Sequence, residues 1–277
     1  MKFPLMPELP EVQSVVNHFK PLLVDQKIQK IISPNGYEKV VDTHSISKIN
    51  ALTKSLIIND VFRRGKYIVL ELSKGYLCIH LRMTGQLQMD MDDAGSMKHY
   101  SFAIFFDSGK SIYFRDYRKF GRLYYYDDLN VLDHKLGVEP LSAKFNYDYL
   151  LGRVKGSNGM IKPFLLNQKH IAGLGNIYID ECLWLSKIHP KKIASRISKP
   201  KIRTLSDAIP KILTQAIEFN GTTIINFSYG NQVTGDFKQF LNVFGKHGEA
   251  CPRCKTILKK IFVSQRGTHY CPKCQKV

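Results

Sequence analysis

Two groups of residues in this chain have the types and spacing that chemistry requires, one near each end. The first is Met6–Pro7–Glu8–Leu9–Pro10–Glu11–Val12. A proline that follows methionine becomes N-terminal once an aminopeptidase trims the methionine, and its nitrogen is then a free secondary amine. An α-amine titrates at roughly 7.7–8.0, so a sizeable fraction is unprotonated near neutral pH. Attack by that amine on an electrophilic carbon, a sugar carbon for example, gives an iminium ion, covalent catalysis of the Schiff-base type. Glu8 is the next residue and is expected to handle protons at the same carbon. As written, Met1–Leu5 precede this stretch and make the Pro7 nitrogen an amide.

The second group is Cys251-x2-Cys254 followed, after sixteen residues, by Cys271-x2-Cys274. This is four-cysteine zinc-ribbon spacing: each CPxC knuckle brings two thiolates to one ion, and tetrahedral closure leaves no open position. One structural Zn2+ is expected, with an iron site of the rubredoxin type as the alternative. Cys78 and Cys182 stand alone among apolar neighbours and read as buried core thiols. That cysteine usage fits a reducing compartment, where disulfides are disfavoured.

Composition narrows the partner. Across 277 residues, 41 Lys and Arg face 23 Asp and Glu, a formal net charge of +18, and the pI is about 9.6. Such a balance points to a polyanion, most simply nucleic acid. A cationic membrane-surface protein is the competing class, but no apolar run reaches the ~18 residues of a spanning helix and no basic amphipathic segment stands out. MKFPL is too short for a signal peptide. A cytoplasmic protein is expected.

The intervening chain must position these groups. Val12, Val15, Val16, Phe19 and Leu22–Leu23 recur at helical spacing, and Pro10 with Glu11 suits a first helical turn, so Glu11 is either a helix cap or part of the site. From Lys27 to about Tyr126 the pattern is of short strands, for example Lys66–Leu72, Tyr76–Leu81, Ser101–Phe106, Ser111–Phe114 and Arg122–Tyr126, which predicts a β-sandwich or barrel. Three islands interrupt it: Arg63–Arg64–Gly65–Lys66, His80–Leu81–Arg82–Met83–Thr84–Gly85 and Arg115–Asp116–Tyr117–Arg118–Lys119–Phe120–Gly121. Each alone is more often a solvated edge. Together they suit a DNA-facing surface, cations for phosphates and Met, Arg and Phe as wedges.

Leu136–Leu141 reads as a linker. Helices are expected over Tyr147–Arg153, Ile161–Asn167, Ile177–Leu185 and Lys199–Asn220. Ala172–Gly173–Leu174–Gly175–Asn176 is a helix–turn–helix connection whose amides suit a phosphate. Ser228–Gly235 is polar and glycine-bearing, a loop by composition. Lys259 to Tyr270 alternates like a hairpin with Gln265–Arg266–Gly267–Thr268 at its tip. From Gly245 to Val277, eight Lys and Arg face one acid, Glu249, as in a nucleic-acid finger.

These motifs together resemble one family, the bacterial formamidopyrimidine-DNA glycosylases, repair enzymes that excise 8-oxoguanine and ring-opened purines. The likeness runs from Met6 to the C-terminus. It rests on PELPEV (Pro7–Val12), RRGKY (Arg63–Tyr67), HLRMTG (His80–Gly85), DYRKFG (Asp116–Gly121), LGVEPL (Leu136–Leu141), AGLGNIYIDE (Ala172–Glu181) and RGTHYCPKCQ (Arg266–Gln275). The resemblance implies an α+β multidomain fold: an N-terminal catalytic β-sandwich with a leading helix (7–135), a helical domain with a helix–two-turns–helix motif (142–244), and a C-terminal four-cysteine zinc-finger β-hairpin (245–277). Residues 1–6 are then an extension or a start-site artefact.

The resemblance also implies roles. Pro7 is the amine that attacks the anomeric carbon of a flipped nucleotide. Glu8 protonates the sugar ring oxygen or manages the proton during opening, Lys66 assists β-elimination and contacts phosphate, and Arg266 contacts phosphate and supports δ-elimination. His80, His99, Arg118 and Asn176 contact DNA, while Met83, Arg118 and Phe120 fill the void left by the flipped base. The loop from Gly221 to Gly235 caps that base. The implied partner is damaged double-stranded DNA, bound by a monomer in the bacterial cytoplasm at the nucleoid.

Departures from the family pattern are specific. Asn158 replaces a DNA-contacting lysine, with Lys155 and Lys162 flanking it, and Ser101 replaces the second histidine of a KHxH segment that retains Lys98–His99. Met1–Leu5 precedes the catalytic proline, and translation from Met6 or removal of the five residues is expected. The capping loop is the least regular part. Two rivals remain: an endonuclease VIII-like enzyme for oxidised pyrimidines, whose branch usually has glycine where Leu9 stands, and a non-catalytic damage sensor with Pro7 blocked.

Overall fold

The computed structural model describes residues 6–89, 97–222 and 235–276. They form two compact units, one running to Asp133 and including Asn220–Asp236, the other comprising His134–Phe219 and Phe237 onward.

The first unit begins with α1 (Leu9–Leu23), whose apolar stripe of Leu9, Val12, Val15, Val16, Phe19 and Leu23 is buried. Its strands are β1 (Ile28–Ile32), β2 (Ile58–Arg64), β3 (Tyr67–Leu72), β4 (Tyr76–His80), β5 (Gly85–Gln88), β6 (Tyr100–Phe106), β7 (Ser111–Asp116) and β8 (Arg122–Tyr126). They make two antiparallel four-stranded sheets, ordered β1-β6-β7-β5 and β2-β3-β4-β8. Side chains from both sheets join α1 in one buried core, the β-sandwich expected. Alternation is clearest in β7, where Ile112, Phe114 and Asp116 are buried between half-exposed neighbours.

A helix, α2 (Ile46–Thr53), sits where only strands were expected. Ser45 caps it, its hydroxyl accepting from Lys48 N–H at 3.2 Å. Ile46, Ile49 and Thr53 supply the buried face against β1. A short α3 (Asn130–Asp133) follows β8.

The second unit contains α4 (Tyr147–Lys155), α5 (Ile161–Leu166), α6 (Asn176–Leu185) and α7 (Lys199–Glu218). Every residue of α6 from Ile177 to Trp184 is buried, as befits a helix enclosed on all sides. The turns before α6 are organised by Gln168: its Oε1 accepts from Gly173 N–H at 2.8 Å and its amide donates to Leu166 and Leu174 carbonyls. Gly173 there has φ +86°, a left-handed conformation that favours glycine. The expected linker is structured too, since Val138 forms a parallel bridge with Ile171.

The hairpin is β9 (Lys259–Val263) with β10 (Arg266–Tyr270). Its two-residue turn is Ser264–Gln265, both at positive φ, the geometry of a tight hairpin loop. The tip therefore lies earlier than expected, and Arg266 opens β10. The finger does not stand apart from the helices: Trp184 of α6, Val243, Cys251, Leu258 and Cys271 share one core. Among the described residues, no helix is long and apolar enough to cross a membrane.

Glu181 ties α6 to the chain entering the finger. Its two oxygens accept from the backbone N–H groups of Asn242, Val243 and Phe244, each at 2.9 Å, and from the Asn242 side chain at 3.1 Å. Burial nonetheless pushes the Glu181 carboxyl above its usual range. Glu181→Ala should strand these donors and lower stability by on the order of 3–5 kcal/mol, read as a fall in the urea midpoint of the zinc-loaded protein.

Candidate active site and metal centre

Glu8 is the N-cap of α1, in extended backbone conformation, and both it and Pro7 are buried. The Glu8 N–H donates to Glu11 Oε2 at 3.0 Å, one arm of a capping box. The other Glu11 oxygen accepts from Thr222 N–H at 2.7 Å and Thr222 Oγ1 at 3.0 Å. Glu11 is thus a cap that also fixes a distant segment. Gly221 lies so close that a Cβ on it would stand 2.6 Å from Glu11 Oε1, at a φ of +78°, so only glycine fits. Thr222 bridges Asp236, closing the base of the expected capping loop; residues 223–234 of that loop, and Met1–Leu5, lie outside the described residues.

Lys66 follows Gly65 in the turn between β2 and β3, and is buried. Arg63 ties that turn to α1, donating to Gln13 Oε1 at 3.0 Å and to the Gly65 carbonyl at 2.9 Å. His80 is 7% exposed and stands edge-on to Tyr67. Its Nδ1 accepts from Arg82 N–H at 3.0 Å, so Nε2 carries the hydrogen of the neutral ring. Burial, aided by Arg82 and Lys66, holds its pKa well below the histidine range. His80 is thus a buried ring held in its neutral form.

The three wedge candidates sit on two turns joined by one carboxylate. Met83 is half-buried in the turn after β4, and Arg118 and exposed Phe120 follow β7. Arg118 lies over the Phe120 ring, 4.8 Å from its centre. Asp116, fully buried, accepts from the Thr84 hydroxyl, from Arg118 N–H at 3.1 Å and from Gly121 N–H at 2.7 Å. His99 packs on Tyr117 at 4.6 Å. Its Nδ1 has no hydrogen-bond partner among the described residues.

In the second unit, Asn176 opens α6, and its Nδ2 donates to the Gly267 carbonyl at 3.0 Å. Arg266 is exposed at the start of β10. Asn158 is exposed between α4 and α5, while Lys162 is completely buried. Lys155 therefore remains the exposed flanking cation, and Lys162 does not serve as one. Lys162 instead pairs with Asp180 at 2.6 Å.

The four finger cysteines bring their Sγ atoms within 4.8 Å of one another. Four thiolates around one zinc, each ~2.3 Å from the metal, stand about 3.8 Å apart, so the set fits. Hydrogen bonds from Thr256 hold the Cys254 thiol down to about 6, while burial pushes the Cys271 thiol up to about 12, and Trp184 Nε1 donates to Cys251 Sγ at 3.5 Å.

Models of the formamidopyrimidine-DNA glycosylase N-terminal domain and of its H2TH domain match residues 6–123 and 136–228. A zinc finger found in these glycosylases and in isoleucyl-tRNA synthetase matches residues 248–277. A formamidopyrimidine-DNA glycosylase of Herpetosiphon aurantiacus is 40% identical over 98% of this chain and all of its own. That of Lactobacillus helveticus is 39% identical over 98% and 99%. The chain belongs to the formamidopyrimidine-DNA glycosylase family. A crystal structure of a Lactococcus lactis member, a point mutant in complex with Fapy-dG-containing DNA, superposes with a TM-score of 0.89 at 36% identity, covering 98% of this chain and all of that one. Another holds abasic-site DNA, with the same score and identity. The chain is therefore a DNA-binding glycosylase of oxidised-purine repair, with one structural zinc.

Asp116, Thr84, Glu11, Lys162 and Asp180 are the residues sequence reasoning left without a role or undecided. A lone acid inside the basic Arg115–Gly121 motif is the sign the sequence carried, and it applies to Asp116.

Two outcomes follow. Asp116→Ala leaves the Thr84, Arg118 and Gly121 donors unpaired, so stability should fall by about 3 kcal/mol or more; lesion-selective duplex binding should fall with it, as measured by titration on lesion and undamaged DNA. For His80, the unfolded ring takes up a proton near ~6.5 that the folded ring refuses. Stability from neutral His80 is therefore present above that pH and lost as pH falls below it. His80→Asn keeps an acceptor for Arg82 N–H, and its melting temperature should decline less steeply from neutral pH to about 5 than the parent's; parallel curves would refute this.

Proposed function

We propose that this enzyme excises 8-oxoguanine and formamidopyrimidines from duplex DNA through a Schiff base on Pro7, then cleaves the strand by β,δ-elimination. The observation that carries this reading is the α1 N-terminus. Pro7 and Glu8 are buried side by side under a cap held by Glu11, and the Lys66 turn is tied to the same helix by Arg63.

In this mechanism the Pro7 nitrogen attacks C1′ of the flipped nucleotide and the bond to the base breaks. Glu8 delivers a proton to the ring oxygen, opening the sugar to the iminium. Lys66 assists loss of the 3′ phosphate, and Arg266, contacting phosphate, supports loss of the 5′ phosphate. His99, Arg118 and Asn176 contact the DNA. Met83, Arg118 and Phe120 occupy the space of the extruded base, offsetting part of an unstacking cost of a few kcal/mol. The preference for purine lesions draws support from the relative crystallised with Fapy-dG DNA.

The chemistry requires a free amine at Pro7. Borohydride reduction on 8-oxoguanine duplex should trap a covalent adduct, and mass mapping should place the sugar on an N-terminal Pro7. Glu8→Gln should bind the duplex yet form no adduct with it. An adduct on a lysine, or an oxidised-pyrimidine duplex trapped in preference, would overturn the assignment.

A further inference from the structure

Lys162 and Asp180 are both fully buried, and the chemistry just proposed makes no use of either. An ion pair taken this far from water gains little net stability, because desolvation offsets the attraction. What the pair touches is therefore informative. Asp180 Oδ1 accepts from Lys162 Nζ at 2.6 Å, and Asp180 Oδ2 accepts from the His269 N–H at 2.7 Å. Lys162 Nζ also donates to the Gly267 carbonyl at 3.4 Å, which Asn176 reaches at 3.0 Å. Three side chains from α5 and α6 thus converge on β10 beginning one residue after Arg266. Among the described residues, the Arg266 guanidinium makes no hydrogen bond or ion pair of its own, so what the fold fixes is the backbone from which the side chain springs.

We propose that the buried Lys162–Asp180 pair is a positioning device for Arg266: it fixes the Gly267 and His269 peptides and so aims the guanidinium at a DNA phosphate. This rests on the role given to Arg266 above. Lys162 and Asp180 act through Arg266 and touch no substrate themselves.

The test is the double variant Lys162→Met/Asp180→Asn, which removes both charges together and keeps an acceptor for His269 N–H. Zinc content and melting temperature verify that it folds. On abasic-site duplex the ratio of δ- to β-elimination product should fall about tenfold or more, the scale of a lost charge-assisted contact. In an Arg266→Ala background the same double variant should change the ratio less than about twofold, because the two act as one unit. A parental ratio, or an equal fall in both backgrounds, overturns the proposal. If the double variant loses zinc, Lys162→Arg serves: it keeps the charge, disturbs the Gly267 contact and should shift the ratio the same way. If the parent itself gives no trapped adduct, the Schiff-base reading fails and the pair is judged on duplex binding alone. The salt slope should then drop by about one phosphate contact in the double variant and no further in the Arg266→Ala background.

Discussion

A carboxylate withdrawn from water must find donors inside the fold, and this requirement organises the functional parts of the chain. Glu8, Glu11, Asp116, Asp180 and Glu181 are each at most 3% exposed. Four of them reach segments beyond their own element: Glu11 holds Thr222, Asp116 holds Thr84 and the turn from Arg118 to Gly121, Asp180 holds His269, and Glu181 holds Asn242–Phe244. The segments at Thr84, Arg118–Gly121 and His269 carry or lie beside residues with a proposed role, and Asn242–Phe244 leads into the finger. Glu8 apart, these acids have no step of their own in the proposed chemistry; they fix the backbone from which it is done.

Most of these acids are satisfied by peptide N–H groups rather than by Lys or Arg. That choice matters in a chain with a net charge of +18. An acid neutralised by a surface cation would subtract that cation from phosphate binding, whereas an acid bonded to amides leaves it free. Arg118 shows the arrangement in one residue: its N–H is held by Asp116 while its guanidinium lies outward over Phe120. Asp180 does pair with a cation, and that partner, Lys162, is itself fully buried.

The strands named from sequence, the four helices of the second unit and the cysteine quartet were legible because each leaves a local pattern: period two, period 3.6 or fixed ligand spacing. What was not legible is non-local. Ile46–Thr53 was absorbed into a β-rich stretch because eight residues give too few turns for helical periodicity to stand out. The hairpin tip was misplaced because Gly267 looked like the turn residue, whereas Ser264 and Gln265 take the positive φ. Lys162 looked like one more surface cation; only its pairing with a residue eighteen positions away shows that it is internal. His80 stood in a polar motif, and its burial against Tyr67 depends on which strand lies beside it. The roles of Pro7, Glu8, Lys66 and Arg266 came from the motifs, not from any period.

The hairpin shows why local and non-local signals were both needed. Two five-residue strands alone make a marginal structure in water. One end is joined to the metal centre, since Cys271 follows β10 directly. Zinc fixes the knuckles, yet Arg266 lies at the opposite end of β10, where the ion exerts no direct hold. That end is held by the Asp180 bond to His269 and by the Lys162 and Asn176 bonds to Gly267. A finger stapled only by metal would keep its fold and leave its tip to fluctuate. The second anchor from the helices sets the direction of the tip, which neither the cysteine spacing nor the hairpin pattern specifies.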